Sequence, residues 1–316
     1  MKILVTCPPM LRMIDEFRPI FAKAGVEITT PNVVQVLTVE ELKVLVPQHD
    51  GWIIGDDPAT REVFEAGKKG QLKAAVKWGI GVDNVDFAAC KDLGIPIINT
   101  PNMFGGEVAD VAISYVLALA RETFLIDRKI REGGWPKPRG ISTSGRTIGI
   151  IGLGDIGRST AKRALAHDMN IIAWDPGFTA PPEGLEAVQV SPWPHRIGEC
   201  DFLVFTCSLN DKNRHMLNAD TLAKAKDGVR VVNVARGPLI KEVDLIEAIR
   251  SGKVYSAALD VFEVEPLPMD SPLRGFERCI LGSHNGSNTS DGVVRASHRA
   301  IELLFGFLGV NKGDAC

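Results

Sequence analysis

One stretch limits what this chain can fold into more than any other: Thr147-Ile148-Gly149-Ile150-Ile151-Gly152-Leu153-Gly154-Asp155-Ile156-Gly157-Arg158. An apolar, β-branched run meets three glycines spaced G-x-G-x-x-G, and a helix-like pattern follows. In such a turn Gly152 permits the tight bend, Gly154 lets backbone approach a pyrophosphate, and Gly157 lets a helix pack close against the strand. The new helix aims its N-terminal N–H groups and the positive end of its dipole at the phosphates. The stretch predicts a strand, a dinucleotide-binding turn around Gly152, Gly154, Asp155, Ile156 and Gly157, and a helix.

The flanking sequence alternates in the same manner. Strand-like runs fall at 2–7, 26–29, 52–54, 74–77 and 95–99, with helix-like segments between them. Thr38-Val39-Glu40-Glu41 has the spacing of a capping box, and Gly94 follows a helical pattern over 83–93 as a C-terminal stop. A second series has strands at 147–151, 170–174, 202–206, 229–234, 255–259 and 279–281, with a proline-rich irregular stretch at 176–194. Strand–helix alternation argues parallel sheets covered by helices, here in two doubly wound domains. Only the second carries a phosphate loop. Asn99-Thr100-Pro101-Asn102 and Gly105-Gly106 precede a long amphipathic run over 107–131, and Gly/Ser/Asn-rich residues 285–287 precede a last helix over 293–307. That helix is too short for a domain, so it is expected to pack back on the first half. The expected division is 1–101 with 288–316, and 102–287, with two crossovers framing a cleft.

Composition excludes several partners. A formal net charge of −3 leaves no electrostatic footprint for nucleic acid or an anionic membrane. No window is apolar for the length of a membrane span, and the N-terminal run is too short for a signal peptide. The six cysteines are scattered without metal-ligand spacing, so reduced thiols and no metal are expected in a cytoplasmic protein. Asp175 ends the strand after the glycine loop, 18 residues past Gly157. A carboxylate there accepts the ribose hydroxyls and repels a 2′-phosphate, and no base follows until Arg196, which favours NAD over NADP.

Three later segments place polar groups just past strands of the same sheet. Arg236 stands in Asn233-Val234-Ala235-Arg236-Gly237, Glu265 in Asp260-Val261-Phe262-Glu263-Val264-Glu265-Pro266, and His284 in Ser283-His284-Asn285-Gly286. Singly, each has a plain explanation: a surface ion pair, a solvated acid, a satisfied histidine. Together they converge at the edge where open α/β sheets bind ligands. An arginine fork holds a carboxylate in two-point fashion, and a histidine is the usual acid/base near neutral pH.

At this point the chain resembles the D-isomer-specific 2-hydroxyacid dehydrogenases over nearly its whole length. Lys77-Trp78-Gly79-Ile80-Gly81-Val82-Asp83-Asn84-Val85-Asp86 resembles the family's substrate loop, and the glycine loop, Asp175 and the three segments above resemble its NAD site and Arg/Glu/His set. The resemblance implies a flavodoxin-like substrate domain beside a Rossmann NAD-binding domain, and hydride transfer between NAD and C2 of a small 2-hydroxy or 2-oxo acid. By that resemblance His284 is the acid/base, Glu265 holds its imidazole and favours its charged form, and Arg236 holds the substrate carboxylate. Lys77, Gly79, Ile80, Gly81 and Asn102 would bind substrate, the last by its place at the crossover. Asp260 would meet the nicotinamide carboxamide, with Thr206, Cys207, Ala235 and Gly286 lining the cofactor. A homodimer is expected, with the 107–131 run near its interface.

The sequence also departs from the family pattern. Thr206-Cys207-Ser208 stands where many members have His-Pro, Ser283 where proline is usual, and Asp110 where glutamate is usual. Gly55-Asp56-Asp57 resembles a stretch in which phosphoglycerate dehydrogenases place an arginine for the substrate phosphate. An acid there repels phosphate by about 1 kcal/mol at 4 Å in water and by more when desolvated. Phosphoglycerate dehydrogenase-like activity is therefore expected alongside two alternatives: a glyoxylate/hydroxypyruvate reductase, and, in another class, an NAD(H)-sensing corepressor-like protein. A sensor can lose the catalytic set, and here Arg236, Glu265 and His284 all stand. The chain ends soon after the last helix, so no amino-acid-binding regulatory domain is expected.

Overall fold

The computed structural model describes residues 1–310 and divides into two compact units. One comprises Met1–Phe104 with the segment from Asn288 onward, the other Gly105–Ser287. In the first unit, β1 (Lys2–Val5), β2 (Glu27–Thr29), β3 (Gly51–Ile54), β4 (Ala74–Lys77) and β5 (Ile97–Asn99) form one sheet in the order β2-β1-β3-β4-β5. Every pairing is parallel. This is the flavodoxin-like order. The strands β3 and β4 are buried along their whole length, as parallel strands covered on both faces must be.

The helix Ser290–Leu308 returns from the far end of the chain to this sheet. It packs Leu304 and Leu308 where Gly51 of β3 offers no side chain, with a Cβ there only 3.0–3.3 Å from their methyls. Its Ser297 Oγ accepts the Trp78 indole N–H at 3.1 Å. The capping box forms as expected, with the Thr38 hydroxyl and the Glu41 carboxylate each meeting the other's backbone N–H. Gly94 ends the helix Phe87–Leu93 at φ +64°. That helix starts later than the pattern over 83–93 implied, because Asp86 caps it by accepting the Ala89 N–H.

In the second unit β6 (Thr147–Ile151), β7 (Asn170–Trp174), β8 (Val188–Val190), β9 (Phe202–Phe205), β10 (Val229–Asn233), β11 (Val254–Leu259) and β12 (Ile280–Leu281) form a seven-stranded sheet, ordered β12-β11-β10-β9-β6-β7-β8. It too is wholly parallel. With β6 as first strand this is the Rossmann order, and the chain reverses direction across the sheet between β6 and β9. The irregular stretch at 176–194 needs one correction: Val188-Gln189-Val190 pairs with β7 as an edge strand. The single run over 107–131 needs another. It is two helices, Gly105–Arg121 and Thr123–Arg131, broken at Glu122, whose φ is +55°. Glu122 turns inward, where its carboxylate accepts the Tyr255 hydroxyl.

Candidate active site

The glycine loop has the geometry that a dinucleotide needs. Gly152 sits at φ +100°, and a Cβ there would lie 2.7 Å from the Cys207 Cα. Gly157 is packed so closely that its Cβ would reach 1.9 Å from the Gly152 carbonyl oxygen. Gly154, the residue before the helix Asp155–Ala166, has no atom within 4 Å of a built Cβ, so backbone is accessible there to a ligand. Asp155 opens that helix, yet its carboxylate lies against Gly105, where a Cβ would be 2.4 Å away. Thr206 donates its hydroxyl to the Ile151 and Gly152 carbonyls at 3.1 and 2.9 Å, pinning the loop to the end of β9. Cys207 follows it, its thiol pushed up to about 12 by burial, so it is a neutral wall and no nucleophile.

Asp175 directly follows β7 with both oxygens engaged: Oδ2 accepts the Leu153 N–H at 2.7 Å and Oδ1 the Gly177 N–H at 2.8 Å. A carboxylate oxygen takes two donors, so this anchored group still suits ribose hydroxyls. The turn accordingly fits NAD: Gly152, Gly154 and Ile156 would face the pyrophosphate and Asp175 the adenosine ribose.

Past β10, β11 and β12 the three polar segments meet. Asn233 folds the first of them: its Oδ1 accepts the Ala235 N–H at 3.0 Å and its Nδ2 donates to the Arg236 carbonyl at 2.9 Å. Arg236 Nη1 donates to the Ala235 carbonyl at 2.8 Å. Gly237 then lies flat on the second segment, where a Cβ would be 1.9 Å from Phe262 C and O. That segment carries Glu265, whose Oε1 accepts the Phe262 N–H at 3.0 Å and whose Oε2 lies 2.8 Å from His284 Nδ1. A carboxylate accepts, so Nδ1 carries a proton and Nε2 is left as the nitrogen able to exchange one. His284 itself adopts φ +55°.

Asp260, expected against the nicotinamide, is 3% exposed and engaged within the protein. Its carboxylate accepts the Asn285 and Gly286 N–H groups at 3.3 and 2.9 Å and lies beside the Tyr115 hydroxyl. Sequence reasoning also passed over His215 and Glu263, whose ring Nε2 and Oε1 lie 2.5 Å apart. The His215 N–H donates to the Pro238 carbonyl at 2.7 Å, so this pair ties the Gly237 turn to the Glu265 segment. Only a histidine two strands away from a glutamate would have marked it in sequence.

Apart from Arg236, the residues implied for substrate belong to the first unit. Gly79 follows β4 at φ +109°, its N–H donating to the Thr100 hydroxyl at 2.8 Å. The Asn99 amide donates to the Ile80 carbonyl at 3.1 Å, which fixes the turn leading to Gly81. Asn102 is exposed at φ +57°, a conformation asparagine tolerates. Asp56 and Asp57 diverge. Asp57 is fully buried and accepts the Thr6 hydroxyl and the Leu37 and Gly55 N–H groups, filling the gap between the ends of β1 and β3. Burial raises its pKa against those donors. Asp56 instead pairs with Lys77, whose Nζ lies 3.1 Å from Oδ1 and donates to the Trp78 carbonyl at 2.9 Å. Lys77 is 2% exposed. Among the described residues no group of three or more His, Cys, Asp or Glu could hold a metal, and no helix is long and apolar enough to cross a membrane.

A parallel sheet with a dinucleotide turn on one strand, and an Arg/Glu/His set past three others, defines an NAD-linked oxidoreductase. The chain belongs to the D-isomer-specific 2-hydroxyacid dehydrogenases: the NAD binding domain of that family matches residues 113–286. It is 37% identical over 294 residues to a hydroxypyruvate reductase of Thermotoga maritima, covering 91% of this chain and 93% of that one. It is 36% identical over 310 residues to a D-3-phosphoglycerate dehydrogenase of Methanocaldococcus jannaschii, covering 96% of this chain and spanning 56% of that relative's length. The crystal structure of a glyoxylate reductase from Paecilomyes thermophila superposes with a TM-score of 0.84 at 28% identity, covering 100% of this chain and 97% of that one.

Proposed function

We propose that the protein interconverts a small unphosphorylated 2-oxo acid, of the hydroxypyruvate or glyoxylate class, and its D-2-hydroxy acid. NAD supplies the hydride acceptor in one direction and, reduced, the donor in the other. His284 Nε2 gives a proton to the C2 oxygen in reduction and takes it back in oxidation. Glu265, 2.8 Å from Nδ1, fixes the tautomer and ring plane for that exchange. Arg236 pairs with the substrate carboxylate and polarises the C2 oxygen. Within the first unit, Ile80 and Gly81 offer backbone N–H groups to a carboxylate, with Asn102 two residues past the Thr100 that holds Gly79. The observation that carries the reading is the His284–Glu265 pair placed beside the Arg236 segment.

Lys77 supports the unphosphorylated class. It is the buried cation under the substrate loop, and Asp56 already neutralises it at 3.1 Å. A phosphate there would meet a compensated cation and an exposed carboxylate. A relative whose own length this chain covers to 93% is also a hydroxypyruvate reductase. The second reading, a D-3-phosphoglycerate dehydrogenase, rests on the relatives that this chain spans for about half their length, 56% and 54%. NADH oxidation with hydroxypyruvate, glyoxylate, pyruvate and phosphohydroxypyruvate separates the two. Hydroxypyruvate or glyoxylate is expected to give a kcat/KM at least about ten-fold above phosphohydroxypyruvate; the reverse order overturns the assignment.

A homodimer fits the apolar side chains exposed on and after the helix Thr123–Arg131: Phe124, Ile130 and Trp135, the last 79% exposed. Among the described residues five unpaired thiols, four of them buried, fit a reducing, cytoplasmic compartment.

A further inference from the structure

His284 does not hold its place by its own side chain alone. Residues 284–286 hang from Asp260: the His284 N–H donates to the Asp260 carbonyl at 2.7 Å, and the next two N–H groups go to its carboxylate. Beside that carboxylate lies the Tyr115 hydroxyl, which comes from the helix Gly105–Arg121. Gly282 makes the meeting possible. A Cβ on it would lie 2.2 Å from Asp260 Oδ1 and 2.7 Å from the Tyr115 oxygen. Val108, two helical turns before Tyr115 on the same face, flanks Gly286, with a Cβ there 3.7 Å from its methyls. One buried carboxylate thereby stands between the helix that opens this unit and the turn that closes it.

We propose that Tyr115 is a positioning residue for His284, acting through Asp260: its hydroxyl, beside the carboxylate, donates to it and so steadies the group that holds the 284–286 turn. The inference rests on His284 as the acid/base. Position 115 lies on a buried helical face with Ala112, Val116 and Leu119, which an apolar side chain would fill equally well. A phenol 9% exposed incurs a desolvation cost unless its O–H is bonded. Burial and the Asp260 charge push it up to about 12, so it stays a donor across the working range. The acceptor-only carboxylate needs donors of this kind, because the left-handed His284 backbone persists only when its surroundings hold it.

Tyr115→Phe removes one oxygen and preserves the packing. In the full-length chain it is expected to lower kcat about ten-fold while the NADH dissociation constant changes less than about two-fold. The deuterium isotope effect on kcat with 4-deuterated NADH should rise, since a displaced imidazole slows the chemical step and not product release. Wild-type kcat and isotope effect in a folded Tyr115→Phe overturn the proposal, as does a loss of kcat with an unchanged isotope effect. If the Phe variant does not fold, Tyr115→Met, similar in size and also without a donor, reads the same two quantities. His284→Asn separates the layers. Retained turnover there would remove the acid/base reading itself, whereas a dead His284→Asn beside an unaltered Tyr115→Phe removes only the role of Tyr115.

Discussion

The Asp175 carboxylate is shared between structure and selectivity. Its two backbone bonds, to Leu153 and Gly177, hold the glycine loop against the end of β7. We propose that its charge also opposes an adenosine 2′-phosphate: two like charges 4 Å apart near a protein surface repel by about 4 kcal/mol. Wild-type protein is therefore expected to use NADPH at least about 100-fold less efficiently than NADH. Asp175→Ser should raise the KM for NADH about ten-fold and narrow the gap between the cofactors. Equal NADH and NADPH oxidation by the wild type would remove this account of selectivity. The meeting of Asp175 with the glycine loop, and of the Arg236, Glu265 and His284 segments with one another, was legible in sequence, because these residues lie one to six positions past strand-like runs. Tyr115 was not: on an amphipathic helix an aromatic reads as core, and only the fold brings its oxygen to Asp260.

At the scale of elements, glycines decide which segments touch. Gly237 is the clearest case, since a Cβ 1.9 Å from Phe262 C and O has no room without moving one segment. The neighbours are backbone atoms, so no side-chain rotation relieves the clash. Gly237→Ala should part the Arg236 turn from the Glu265 segment, lowering kcat/KM by about 100-fold or more and stability by roughly 1–3 kcal/mol. Steady-state kinetics with thermal unfolding check both, and a variant with wild-type kcat/KM would show that the two segments are positioned independently. Sequence periodicity found the long buried strands because a covered parallel strand is a continuous apolar run. It missed β8, whose three residues Val188-Gln189-Val190 are too short for a pattern and lie among prolines. It joined two helices across Glu122 because the apolar spacing continues through the break, and the residue's inward turn to Tyr255 is a tertiary event.

On the scale of the whole molecule, the two units differ in how the chain builds them. The unit Gly105–Ser287 is continuous, with its sheet, glycine loop and His284 inside one stretch of sequence. The other is closed by the helix Ser290–Leu308, which arrives nearly two hundred residues after β5. That helix buries Val293, Ala300, Ile301, Leu304 and Phe305 against the first sheet and its helices, with Phe305 edge-on to Phe21 at 5.7 Å. At about 1.5–3 kcal/mol for each large apolar side chain, their burial amounts to roughly 10 kcal/mol, comparable to the entire stability of a domain. A chain ended at residue 287 should therefore lose the native first unit while the continuous unit keeps its sheet and its NADH site. The expected outcome is rapid proteolysis confined to residues 1–104, with NADH still quenching the fluorescence of Trp174 and Trp193 in the surviving fragment. A truncated chain whose first unit resists protease as the full one does would mean that this sheet is held by its own helices, and that the returning helix contributes far less than its buried area implies.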